Sequence, residues 1–139
     1  PNAVKKIRDA LGKSVTIYKV LHIEGETCLE ARWLEQYKKS GVDVFILDHF
    51  AGKHSIGSTG EKISQNFLNS HMPSMSSSYN IMLAGGVDAE YMDAISQRYS
   101  VFGFDIDSFA KYNGTLCLSR IDQITTIKNK IKLLQTAAL

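Results

Sequence analysis

Three groups of residues in this chain have the types and spacing to do chemistry. The first is Asp48, which follows the apolar run Phe45-Ile46-Leu47. A carboxyl group at the end of a dry strand emerges into a cleft, where it can give or take a proton. A loop carboxylate or a cap for the next turn is the plainer alternative. The second is Gly85-Gly86, between the apolar residues 79–84 and a helix that Asp88 would cap. Bare glycine amides at a helix N-terminus can hold a phosphate with no dedicated side chain. The third is Asp107 with Ser108, just beyond residues 101–106, where a hydroxyl and a backbone N–H could reach the same anion, or simply serve a loop. Gly57, Ser58, Thr59 and Gly60 form a loop that could close over a ligand or merely connect two elements. His22, His49, His54 and His71 show no metal-ligand spacing, so no metal is expected. Cys28 and Cys117 stand far apart and read as two reduced thiols of a cytoplasmic protein.

These groups can meet only if the elements bring them to one place. Val4, Ile7, Arg8 and Leu11 recur at helical spacing, and Gly12 stops that helix. Residues 15–23 read as a strand. Leu29, Trp33, Leu34 and Tyr37 share a face of a second helix, closed by Gly41. Residues 42–47 are almost wholly apolar, as in a strand buried on both faces of a parallel sheet. A short helix is expected over 63–68, and a Ser/Met-rich loop over 70–78. Strands follow at 79–84 and 101–106. Tyr91, Met92 and Ile95 mark the helix between them. Ile121, Ile124, Ile127, Ile131 and Leu134 stripe a final helix.

The order is therefore αβαβαβαβα, an α/β fold with parallel strands and right-handed crossovers. Parallel strands deliver Asp48, Gly85-Gly86 and Asp107-Ser108 to one rim. Two architectures fit: a small open doubly wound sheet, or half of a (β/α)₈ barrel. With 139 residues the chain is long enough for one domain with a core but short of a whole barrel. A net charge of +2 is too small to argue for nucleic acid or an anionic membrane surface. No apolar run approaches the ~18 residues of a membrane span. The opening residue, Pro1, is what a processing boundary would leave.

Phe45-Ile46-Leu47-Asp48, Gly57-Ser58-Thr59-Gly60-Glu61, Met82-Leu83-Ala84-Gly85-Gly86-Val87 and Gly103-Phe104-Asp105-Ile106 occur in that order. Together with Lys19 in a strand-like setting, they resemble the signatures of the phosphoribosylanthranilate isomerase family. The resemblance covers nearly the whole chain. It implies one domain, residues 1–139, corresponding to the C-terminal half-barrel: strands five to eight of a TIM barrel with a preceding helix. It also implies an Amadori rearrangement of N-(5-phosphoribosyl)anthranilate in tryptophan biosynthesis, with no metal or organic cofactor. Asp48 then matches the general acid that opens the ribose ring. Gly85, Gly86 and Ser108 match positions around the phosphate, with Asp107 beside them. The family's base, a cysteine ending its first strand, has no match here, so it is expected from a missing N-terminal half or a partner. The family's Ser-Gly-Val-Glu is here Ser108-Phe109-Ala110-Lys111. That departure keeps open two alternatives, a non-catalytic sugar-phosphate binder and a self-associating half-barrel. A lone half-barrel exposes sheet edges and an apolar face, so a homo-oligomer or a complementary half is the expected partner.

Overall fold

The computed structural model describes residues 1–52 and 60–137, with side chains to residue 133. It is an α/β fold with a mixed sheet. The elements run α1 (Asn2–Leu11), β1 (Tyr18–Glu24), β2 (Thr27–Cys28), a 3-10 turn (Ala31–Trp33), α2 (Leu34–Lys39) and β3 (Val44–His49). They continue with α3 (Gln65–Ser78), β4 (Ile81–Leu83), α4 (Ala89–Ser96), β5 (Gly103–Phe104), β6 (Lys111–Tyr112), β7 (Thr115–Leu116) and α5 (Leu118–Ala137). The main sheet has the order β2-β1-β3-β4-β5. β1, β3, β4 and β5 are mutually parallel, and β2 is an antiparallel edge. Among the described residues no helix is long and apolar enough to cross a membrane.

Strand alternation divides the sheet into two unequal faces. Leu21 and Ile23, Phe45 and Leu47, Ile81 and Leu83 are each at most 1% exposed. They pack with Phe67, Leu68, Met72 and Met75 of α3 into one core. The residues between them, Val20, Ile46 and Met82, lie in register across three strands on the other face. That face is less covered: Tyr18 is 49% and Val20 37% exposed.

Two expectations need correction, and two further features go beyond them. Residues 70–78 are not a loop but the second half of α3, which contains Pro73. Burial of Met72 and Met75 outweighs the proline, and the hydroxyls of Ser74, Ser76 and Ser77 bond back to the carbonyls of His71, Met72 and Ser74. The helix expected from Leu29 is shortened to α2. Residues 27–30 are instead held against β1, with Leu29 N–H donating to His22 O at 2.9 Å. Cys28 accordingly sits in β2, where burial pushes its thiol up. In α1, Ile7 and Leu11 remain about half exposed, and only Val4 packs on the core. Finally, the β6–β7 hairpin was not anticipated. Its Asn113-Gly114 turn has φ values of 49° and 77°, as a two-residue turn with both residues left-handed requires.

Two ion pairs pin the outer helices. Arg8 donates to Gly12 O and Val15 O at 2.7 Å each, to Gly41 O and to Asp43, tying α1 to the start of β3. Lys130 meets Asp93 at 2.8 Å and ties α5 to α4. The stripe of Ile121, Ile124, Ile127 and Ile131 is half-buried, as its spacing demands.

Candidate functional site

β3 ends in Asp48 and His49, still within the ladder: Asp48 pairs with His22 of β1, and His49 with Ile23. Leu47 faces the core, so Asp48 faces the opposite side of the sheet and is half-buried there. Among the described residues no donor is hydrogen-bonded to its carboxylate, which leaves both oxygens to a ligand.

The glycine pair follows β4, and Ala84 N–H donates to Leu47 O at 2.8 Å, drawing the turn onto the end of β3. Gly85 and Gly86 have φ of 76° and 56°, a region where a side chain is strained. A Cβ on Gly85 would lie 3.0 Å from Asp48 Oδ1, 3.3 Å from His49 Cβ and 2.8 Å from Glu61 O. One on Gly86 would lie 2.4 Å from Gly60 O. The acid and the glycine pair therefore converge at one rim, as parallel topology requires. The crowding also shows a structural reason for the glycines: the Gly60-Glu61 backbone packs where side chains would be. Among the described residues no acceptor takes the N–H of Gly85 or Gly86.

The segment from Gly60 is fastened to α4. Lys62 Nζ lies 2.7 Å from Asp88 Oδ2 and 5.1 Å from the centre of the Tyr91 ring. Asp88 caps α4 through Oδ1, which accepts from Tyr91 N–H at 2.7 Å, as expected. Burial resists ionisation of Asp88, yet the bonds from Lys62 and the Tyr91 amide outweigh it and hold the carboxyl below its usual value. Burial of its own side chain pushes the Tyr91 phenol up to about 12. Asp88→Ala is expected to destabilise the fold by about 1 kcal/mol at neutral pH, read from denaturant unfolding. Because the folded value is the lower one, the Asp88 contribution is complete above ~pH 4 and fades as pH falls through the folded value. The gap between wild type and Asp88→Ala should therefore close on acidification.

Asp107 and Ser108 lie beyond β5, the neighbour of β4, and both are exposed. Asp107 forms an ion pair with Lys111, four residues on, so its charge is partly answered within the same loop. Gly60 packs on Gly86, whereas Gly57, Ser58, Thr59 and His54 lie outside the described residues. Among the described residues no cluster of three or more His, Cys, Asp or Glu is placed to hold a metal.

Sequence reasoning missed two contacts at this rim. His49 Nε2 lies 3.5 Å from Glu61 Oε2. His22 Nδ1 lies 2.7 Å from Glu30 Oε1, and His22 N–H donates to Glu30 Oε2 at 2.9 Å. Strand alternation places His22 on the face of Asp48, but nothing in the spacing announced Glu30 as its partner.

The family model for N-(5'-phosphoribosyl)anthranilate (PRA) isomerase matches residues 3–125. Among solved structures, the N-(5'-phosphoribosyl)anthranilate isomerase from Pyrococcus furiosus is similar, with a TM-score of 0.65 and 13% sequence identity. The alignment covers 94% of this chain and 57% of that one, so the chain spans little more than half of that structure's length. At this identity the likeness speaks for the fold alone. No curated protein matches the chain. The family match runs through every strand end that builds the rim, and on it the chain belongs to the PRA isomerase family.

Proposed function

We propose that the chain carries the acid and phosphate ends of a phosphoribosylanthranilate isomerase. The reaction is the Amadori rearrangement of N-(5-phosphoribosyl)anthranilate in tryptophan biosynthesis, in a cytoplasmic setting. Asp48 gives its proton to the ring oxygen of the ribose, which opens the ring to a protonated imine. The amides of Gly85 and Gly86, the N-terminus of α4 and Ser108 receive the phosphate, with Asp107 at its margin. The chemistry needs neither metal nor organic cofactor, since C1 is reduced and C2 oxidised within one substrate molecule. The observation that carries this reading is the 3.0 Å between Asp48 Oδ1 and the Cβ position of Gly85. A sugar whose phosphate sits on the glycine amides then brings its ring within reach of the acid.

On the same reading β1, β3, β4 and β5 are the fifth to eighth strands of a (β/α)₈ barrel. The half-exposed Tyr18 and Val20 then belong to its interior, and Phe102, 58% exposed, to its open edge. A complementary N-terminal half or a second copy of the chain covers them. Light scattering tests this, and a stable, clean monomer of this chain alone would count against it. The functional test is loss of phosphoribosylanthranilate fluorescence on adding the protein. Turnover supports the isomerase. A second reading, binding without turnover, is favoured by the altered block Ser108-Phe109-Ala110-Lys111 beside Asp107. Saturable phosphate binding with no turnover would select it.

A further inference from the structure

We propose that His22, held by Glu30, grips the sugar itself: its Nε2 bonds a hydroxyl on the C2–C3 edge of the ribose, an assignment that rests on the isomerase reading above. Strand order puts it there. β1 lies on the side of β3 away from β4. His22 pairs in register with Asp48 across the parallel ladder, so the two side chains leave the same face of adjacent strands, ~4.8 Å apart at the backbone. The glycine pair follows β4, which is two strand spacings, ~9.6 Å, from β1. A sugar with its phosphate on the glycine amides and its ring oxygen at Asp48 turns its opposite edge, C2–C3, away from both. β1 is the strand on that side. Val20, Ile46 and Met82 share this face of the sheet, one step below the rim, and make its floor apolar.

Three hydrogen bonds hold the residue in place. Leu29 N–H donates to His22 O at 2.9 Å, His22 N–H donates to Glu30 Oε2 at 2.9 Å, and Nδ1 meets Glu30 Oε1 at 2.7 Å. Glu30 is itself largely buried, with 18% of its side chain exposed and Lys19 Nζ 4.0 Å away. Burial resists its charge, but the bonds from His22 and the nearby Lys19 keep its carboxyl below the usual range. Phe50 packs edge-on at 5.5 Å between ring centres and limits the imidazole's rotation. Among the described residues Nε2 has no hydrogen-bond partner, and the side chain is 40% exposed.

The same contacts select the ligand group. With Nδ1 on a carboxylate, that nitrogen carries the hydrogen of the neutral ring, and Nε2 is left as an acceptor. Its lone pair and the Glu30 carboxylate behind it both repel an anion, so neither a phosphate nor an aryl carboxylate suits this place. An uncharged donor does, and the ring hydroxyls are the uncharged donors of that edge. The bond orients the sugar and moves no proton. The base that acts at C2 stays on the segment where the family resemblance puts it. Glu30 acts through His22 as a positioning residue.

Titrating ribose 5-phosphate, its 2-deoxy and 3-deoxy analogues and inorganic phosphate into the full protein tests this. Wild type should prefer ribose 5-phosphate to at least one of the deoxy sugars by about fivefold to tenfold, the worth of one neutral hydrogen bond. His22→Asn keeps a donor toward Glu30 and removes Nε2. It should bind ribose 5-phosphate about fivefold to tenfold more weakly and lose the preference, with inorganic phosphate held within about twofold of wild type. His22→Gln, whose amide reaches the place of Nε2, should recover part of the affinity. Wild-type affinity of His22→Asn for ribose 5-phosphate, or an equal loss for inorganic phosphate, would overturn the proposal and leave the isomerase standing. If wild type binds neither ribose 5-phosphate nor phosphate, the isomerase reading fails and takes this one with it. Should a variant not fold, nitrogen NMR of the wild type decides: a His22 Nε2 signal that saturating ribose 5-phosphate leaves unmoved would overturn the assignment.

Discussion

Asp48→Asn is expected to slow turnover of phosphoribosylanthranilate by about 10²–10⁴-fold, the range lost when a positioned proton donor is removed. The substitution is nearly isosteric, and no donor among the described residues depends on the carboxylate. Unfolding free energy should therefore stay within about 0.5 kcal/mol of wild type. The pair of results matters more than either alone. A loss of activity with a loss of stability would describe a structural residue. A loss of activity at constant stability, with phosphate affinity kept, describes the acid. Fluorescence decay and guanidinium unfolding on the same preparations supply both readouts.

Gly86→Ala carries the largest expected effect on stability. Its φ of 56° costs an L-residue roughly 1–2 kcal/mol. In addition, the new Cβ would sit 2.4 Å from Gly60 O, and a backbone oxygen cannot rotate away as a side chain can. The Gly60-Glu61 segment must move, straining the Lys62–Asp88 pair and the burial of Ile63. The expected total is about 3–4 kcal/mol, a size reached only by a definite steric mechanism. Gly25→Ala is the control. Its φ is 58°, but nothing lies within 4 Å of the added Cβ, so it should cost only the conformational ~1–2 kcal/mol. The difference between the two isolates the contact with Gly60. A Gly86 variant no less stable than the Gly25 variant would mean that the loop does not pack on the glycine pair.

Much of this was readable in the sequence because parallel strands leave a compositional mark. Phe45-Ile46-Leu47 is apolar at consecutive positions, which a one-sided sheet would not need, and β3 lies there. Asp88 was legible as a cap because it stands directly before an apolar period of 3.6. Other features escaped for reasons that are equally physical. Ser-rich, proline-containing residues 70–78 have poor helix propensity, and only the burial of Met72 and Met75 against distant strands makes them helical. β5 reaches only Gly103–Phe104 because its ladder to β4 ends at Leu83, although the apolar run is longer. The Asn113-Gly114 turn was visible as a dipeptide, but its flanking strands are two residues each and leave almost no alternation to read. His22 and Glu30 are joined by a backbone excursion through β2, a pairing no periodicity encodes.

What the functional account requires above all is that an anionic sugar settles between the acid and the two bare amides. Titrating ribose 5-phosphate into nitrogen-labelled protein, and following every backbone amide, addresses this most directly. The account predicts saturable shifts at Gly85, Gly86 and Ser108, with Asp48 and His22 moving along the same binding curve. Shifts confined to other surfaces, with these five residues unmoved, would contradict it.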